Sequence, residues 1–406
     1  MGMWLPTTEA EIETVTSSGT VPEGHFLDFK RELGSTPGSR KETAQDIASF
    51  ALDGGVLIVG VDEPEPGTYK LSPQPLADLS ERAEQIAANR PDPGLYVRTT
   101  IIPSSDNPSA GYLVVEVPPS PAAPHMVDGR YWGRSERTKR QLNDAEVARF
   151  HAARTRSDIK VVEALDEELA RDPQPRPASR MLFVAEPLVA DEGLGRGFVR
   201  GGPTAVRDLA AGLEDRVPGS VREHPPTPWE LSGSVRRAKG VALTNLAEGR
   251  KTPTDDFLAE VASDVEIQTT GAIRGVMSRL TYLEEHPRVP EGTKRVFESL
   301  PIAWSHRLVA WAGALGERLE YRGPWGFGVH LYGLEGVSAS LRDERGIRIL
   351  SSRSLPVYEA ATFQSTATAS FQEILDDPLG IVDRLIGDFV HSLGVSNRYA
   401  DCFPRQ

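Results

Sequence analysis

The stretch PEGHFLDFKREL sets Glu23 and Asp28 beside Lys30 and Arg31 around a short apolar core. Carboxylates this close to bases do one of two things. They neutralise each other at a solvated strand end, with Asp28 paired to Lys30 or Arg31. Otherwise they serve a ligand: carboxylates hold a divalent cation that activates a nucleophile and offsets negative charge, while an ammonium steadies a developing phosphorane. A second set lies further on, where Arg130, Arg134, Arg137, Lys139 and Arg140 face one acid, Glu136, for a local charge of +4. Such bases fix phosphates, and Tyr131 and Trp132 among them can stack on a base or pack over a sugar. The plainer reading is a solvated hairpin whose aromatics, Trp132 above all, fill the core.

The chain that must position these groups has 406 residues and a net charge of −13. That length predicts two domains or more. A protein binding nucleic acid by bulk charge would not be this acidic, so any such binding needs a local patch or metal ions held by the acids. Cys402 is the single cysteine, which excludes an internal disulfide framework and a cysteine-based zinc site and suits a reducing cytoplasm. The opening MGMWLPTTEAEIETV reads without a basic leader or apolar h-region, and no apolar run reaches membrane-span length.

Thr8 and Glu11 have capping-box spacing, which starts a short helix. HFLDFK alternates, placing Leu27 and Phe29 on a core and Asp28 with Lys30 on an open face. GSTPGS reads as a loop. In RKETAQDIASFALDGG a helix carries Ala44, Ile47, Ala48 and Ala51 on one stripe, with Gly54 as its stop. VLIVGV is a strand buried on both faces, delivering Asp62 and Glu63 at its end. A further helix runs along Leu76, Leu79, Ala83 and Ile86 to Pro91. LYVRTTIIP and GYLVVEVP are strands, HMVDGRYWGR a strand or hairpin, and Asn143 with Glu146 caps a helix to about residue 154. The fold class is therefore α/β (α+β), with domains at 1–157 and 158–406.

The first domain resembles the Alba-like core of the Schlafen family. Three blocks carry the likeness: Glu23 through Lys30, then DIASFALDGGVLIVGVDE, then APHMVDGRYWGRSERTKRQLNDAEVARF. The resemblance implies a mixed sheet with flanking helices. It also implies a metal-binding trio, Glu23, Asp28 and Asp62, holding Mg2+ or Mn2+, with Lys30 beside it as a fourth catalytic group. The family usually has Glu at the place of Asp28, one methylene longer, so a metal here would sit nearer the strand. Arg134 occupies a family arginine position. Together with Arg130, Trp132, Arg137, Lys139 and Arg140 it is expected to bind nucleic acid.

Residues past about 160 form a second α+β domain of unknown type. EELARDPQPRPASR reads as a linker, MLFVAEPLV, FLAEVASDVEIQ and GFGVHLYGL as strands, and AWSHRLVAWAGALGERL and PLGIVDRLIGDFVHSLG as helices. Trp304, Trp311 and Trp325 suit a core. AEGRKTPT lacks the glycine spacing of a phosphate loop. His25 and His125 are candidates for acid–base work, but singly placed histidines are more often structural. The leading expectation is a divalent-metal endoribonuclease on structured RNA such as tRNA or rRNA. The alternatives are a DNA- or RNA-binding regulator without chemistry, and a scaffold whose core forms a homodimer while its C-terminal half binds a protein.

Overall fold

The computed structural model describes residues 4–18, 24–34, 36–65, 67–135, 138–172, 179–190, 192–222, 233–246, 262–285, 290–340 and 356–404. Glu23, Arg137 and the AEGRKTPT stretch lie outside the described residues. The chain divides into two compact units between Thr155 and Arg156. Among the described residues no helix is long and apolar enough to cross a membrane.

The first unit opens with helix α1 (Glu9–Ser18). Its box closes one residue out of step: the Glu11 amide donates to Thr8 Oγ1, while the Glu11 carboxylate accepts from the Thr7 amide at 2.7 Å. Strand β1 (Leu27–Lys30) runs parallel to β2 (Gly55–Val59), with Asp28 opposite Leu57 and Lys30 opposite Val59. Between them, helix α2 (Pro37–Phe50) starts three residues earlier than the sequence reading placed it. Thr36 caps it, accepting from the Ser39 amide at 3.2 Å, and Pro37 fits the first turn, whose amides need no intrahelical partner.

After β2 the chain turns at Gly60, whose φ of 104° a side chain would strain. A Cβ there would also meet the Tyr112 ring at 2.8 Å. Strand β3 (Val61–Glu65) then pairs with β4 (Thr68–Leu71) as a separate hairpin, where the sequence reading had one strand, VLIVGV, delivering Asp62 and Glu63 at its end. The two residues of β5 (Gln74–Pro75) and helix α3 (Leu79–Asn89) follow. Strands β6 (Arg98–Pro103) and β7 (Ala110–Val117) complete the main sheet in the order β1–β2–β7–β6, with β5 on the end of β7.

Alternation along the strands splits the core. Leu27, Phe29, Val56, Ile58, Tyr112 and Val114 pack on one face with Ile12 of α1. Leu57, Val59, Leu113 and Val115 pack on the other, under Ala44, Ile47 and Ala48 of α2 and Ala83 and Ile86 of α3. Beside α2, strands β8 (Met126–Val127), β9 (Arg130–Arg134) and β10 (Lys139–Gln141) form a small meander. Its first turn is the two-residue loop Asp128-Gly129, both at positive φ, which matches the twist of a tight hairpin.

Asn143 and Glu146 cap helix α4 by exchanging two 3.0 Å bonds. That helix, Asp144–Arg171, runs far past residue 154 and takes in the start of the expected linker. It continues because Val161, Ala164, Leu165 and Glu168 make a buried stripe at helical spacing.

The second unit is built on a seven-stranded antiparallel sheet. Its strand order is Gly233–Arg236, Gly240–Thr244, Ser263–Gln268, Ile273–Ser278, Arg180–Pro187, Trp325–Tyr332, Thr362–Ala369. The helix Ser299–Arg318 lies in its core, and Trp304, Trp311 and Trp325 are fully buried, as their spacing predicted.

Candidate functional site

Strand period puts Asp28 and Lys30 on one face of β1, as expected, but that face is covered rather than open. Helix α2 brings Glu42 and Asp46, one helical turn apart, over β1. Strands β9 and β10 bring Arg134 and Lys139, which are cross-strand partners. The Asp46 carboxylate, 3% exposed, lies between two ammoniums: Lys139 at 2.9 Å from Oδ1 and Lys30 at 3.0 Å from Oδ2. Both lysines also approach Glu42, at 3.9 Å and 3.8 Å. Arg134 donates to Asp28 Oδ2 at 3.3 Å and to the Gly24 carbonyl at 3.4 Å, and its guanidinium lies 4.2 Å over the Phe50 ring. Three acids and three bases thus meet in a charge-balanced cluster drawn from four elements.

Burial, followed by the charge of Asp46, holds the Asp28 carboxyl above its ordinary range, against the pull of Arg134 and Lys30. Burial also works against the Lys30 ammonium, but Asp46 and Asp28 outweigh it and raise that group. A dication added here would meet three bases around the carboxylates and give a balanced cluster two surplus charges. The described donor set therefore does not fit Mg2+ or Mn2+. Among the described residues there is no group of three or more His, Cys, Asp or Glu side chains placed to hold a metal ion.

Comparison with known proteins bears on this cluster, because all six of its residues fall inside one matched segment. Residues 23–143 match the family model Schlafen, AlbA_2. That family points to a nucleic-acid-related function for the N-terminal part of an α+β chain. No curated protein matches the chain. A solved structure, the DIP2311 protein from Corynebacterium diphtheriae, is 18% identical, with 36% of this chain and 28% of that one covered and a TM-score of 0.25.

Within the Schlafen, AlbA_2 segment four of the anticipated site residues, Asp28, Lys30, Arg134 and Lys139, meet in this cluster. Asp62 lies on the β3–β4 hairpin opposite Lys70, half-buried and with no side-chain partner among the described residues. Its neighbour Glu63 accepts from the Gly67 amide at 2.6 Å. The basic stripe is largely spent inside the fold. Arg134 is buried on Asp28, Lys139 is held by Asp46, and Arg140 forms a two-pronged pair with Glu146 at 2.6 and 2.8 Å. Trp132 packs on the α2 side of the core and donates to the Val127 carbonyl, while Arg130 stays exposed.

His25 lies 3.0 Å from Asp53. His125 is 1% exposed and bridges the Pro93 carbonyl and Ser120 Oγ, and its burial depresses the ring to about 4. Glu42 and Asp46 escaped the sequence reading. The available signal was an acid pair one turn apart, flanking the apolar stripe of α2.

Proposed function

We propose that the Schlafen, AlbA_2 segment binds nucleic acid through backbone phosphates and does not cut it. The family match supports the partner class. The binding-only form rests on one observation: Asp28, expected as a metal ligand, is paired with Arg134 inside a cluster whose charges already cancel. Carboxylates committed to buried bases hold Arg134 away from solvent. With a net charge of −13, contact with a polyanion must pass through a local basic patch.

Cleavage of tRNA or rRNA through Mg2+ or Mn2+ on Glu23, Asp28 and Asp62 is the competing reading, favoured by Asp62, which has no side-chain partner among the described residues. One experiment separates the two. Labelled tRNA, single-stranded RNA and duplex DNA are titrated by anisotropy from about 50 to 200 mM salt. The same mixtures with Mn2+ are run on denaturing gels. Salt-sensitive binding with intact strands is the expected result. Mn2+-dependent cleavage that disappears in Asp62→Asn refutes the binding-only reading, and failure to bind any of the three refutes the partner class.

A further inference from the structure

Between α2 and α3 the first unit carries a cleft of about 180 Å³ lined by Arg40, Arg82, Gln85, Ile86, Asn89 and Arg90. Residues 82, 85, 86 and 89 recur at the spacing of one helix face, so α3 aims this set into the cleft together. The two amides turn back on the helix: Gln85 donates to Glu81 and Asn89 to the Gln85 carbonyl, each at 3.0 Å. The charged donors left for a ligand are the guanidiniums.

These arginines differ from the bases of the buried cluster. Among the described residues, no side chain of Arg40, Arg82 or Arg90 makes a hydrogen bond or an ion pair, and no acid lines the cleft. Arg82 Nε is buried without a hydrogen-bond partner, a donor that a bound anion would satisfy. The acids nearest by sequence or field are otherwise engaged. Glu81 accepts from Gln85, and Asp128, which acts on Arg90, is held by Lys41 at 2.5 Å. Arg82 also lines a second cleft, of about 390 Å³, together with Glu32 and Asp78. Those carboxylates repel phosphate, so the anion-accepting surface ends at Arg82.

We infer that the α2–α3 cleft is a phosphate site that takes phosphodiester oxygens of a nucleic-acid strand. Guanidinium forks match such oxygens two at a time, and three of them with no side-chain hydrogen bond or ion pair among the described residues form the positive patch that an acidic chain needs. The inference rests on the nucleic-acid reading above.

The test uses the full chain with Arg40→Gln, Arg82→Gln and Arg90→Gln combined, and the exposed pair Arg40→Gln, Arg90→Gln as a variant that does not touch the buried donor. Where the wild type binds nucleic acid, the triple variant is expected to bind about 10- to 100-fold more weakly near 0.1 M salt. Its slope of log K against log salt is expected to fall by about 2 to 3. The pair should lose about two-thirds of that slope, and Arg→Lys at the same positions should restore the slope. Unchanged affinity and slope in a folded triple variant overturn the inference and leave the proposed function standing. If the wild type binds no nucleic acid, that function falls, and pyrophosphate decides the cleft by itself. Side-chain Nε–H NMR shifts of Arg82 on adding pyrophosphate, absent in the Arg40/Arg90 pair variant, support an anion site, and no shift overturns it.

Discussion

Replacing Asp46 by Asn keeps the shape of the side chain and removes the charge between two ammoniums. With distances of 2.9 and 3.0 Å, each contact is worth about 5 to 6 kcal/mol of gross Coulomb attraction at an effective dielectric near 20. Most of that is offset. The carboxylate no longer has to be stripped of water, its repulsion of Asp28 vanishes, and the lysine heads, 26% and 21% exposed, turn partly to solvent or to Glu42. Breaking a buried ionic contact typically leaves a net loss of about 3 kcal/mol, which for a unit of this size is roughly 6 to 12 °C in melting temperature. Hydrogen exchange followed by mass spectrometry, on peptides covering β1 and α2, reads the loss in this unit alone. The Asp28 carboxyl, followed by carbon NMR, should also titrate lower in the variant, because Asp46 is one cause of its upward shift. Glu42→Gln serves as the control: Glu42 is 62% exposed and makes only long contacts, so less than about 0.5 kcal/mol is expected. A loss below about 1 kcal/mol in Asp46→Asn, or an unmoved Asp28 titration, refutes the view of Asp46 as the hub of the cluster.

Three further outcomes are expected. Because Asp28 is raised in the fold, its stabilising share is complete below its ordinary value and is lost as pH rises through the folded one; Asp28→Asn should hold the first unit at least as firmly as wild type at pH 7, as urea titration would show. His125 is depressed to about 4, so stability present above about 6.5 drains as pH falls toward 4, by about 3 kcal/mol. First-unit exchange rates across that window should lose this dependence in His125→Gln, and an unchanged slope would count against a buried neutral ring. Arg134→Met should cost about 2 kcal/mol through its lost contacts with Phe50 and Asp28, yet leave the salt slope of nucleic-acid binding as it was. A full-strength fold with a reduced slope would show instead that Arg134 touches phosphate.

Period and punctuation made much of the first unit readable. Ala44, Ile47 and Ala48 announced a helix face, the run Val56–Val59 a doubly covered strand, and Leu79, Ala83 and Ile86 a second helix face. The errors came where a local signal had a stronger rival. Thr36 and Pro37 looked like loop residues but are a cap and a first turn. Asp62 looked like a strand end, although Gly60 redirects the chain into a hairpin. In the second unit Thr362–Ala369 passed unread because its exposed alternate positions dilute the apolar pattern. The site was legible only as far as β1 reaches. Period two put Asp28 and Lys30 together, but nothing local says that Arg134 answers the first and Asp46 the second. The run of bases looked free because the acids that quench it, Asp28, Asp46 and Glu146, belong to other elements.

The Arg134–Asp28 contact spans 106 residues of sequence, and Lys139 comes later still. During synthesis, β1 and α2 are therefore made well before two of the three cations that neutralise their acids exist. Until β9 emerges, Asp28, Glu42 and Asp46 have Lys30 alone in this cluster, Lys139 joins only with β10, and packing α2 onto β1 before then would confine like charges together. The N-terminal half of the unit should accordingly stay open until about residue 141 is complete and then close in one cooperative step, so fragments ending before β10 should emerge as loose, protease-sensitive chains.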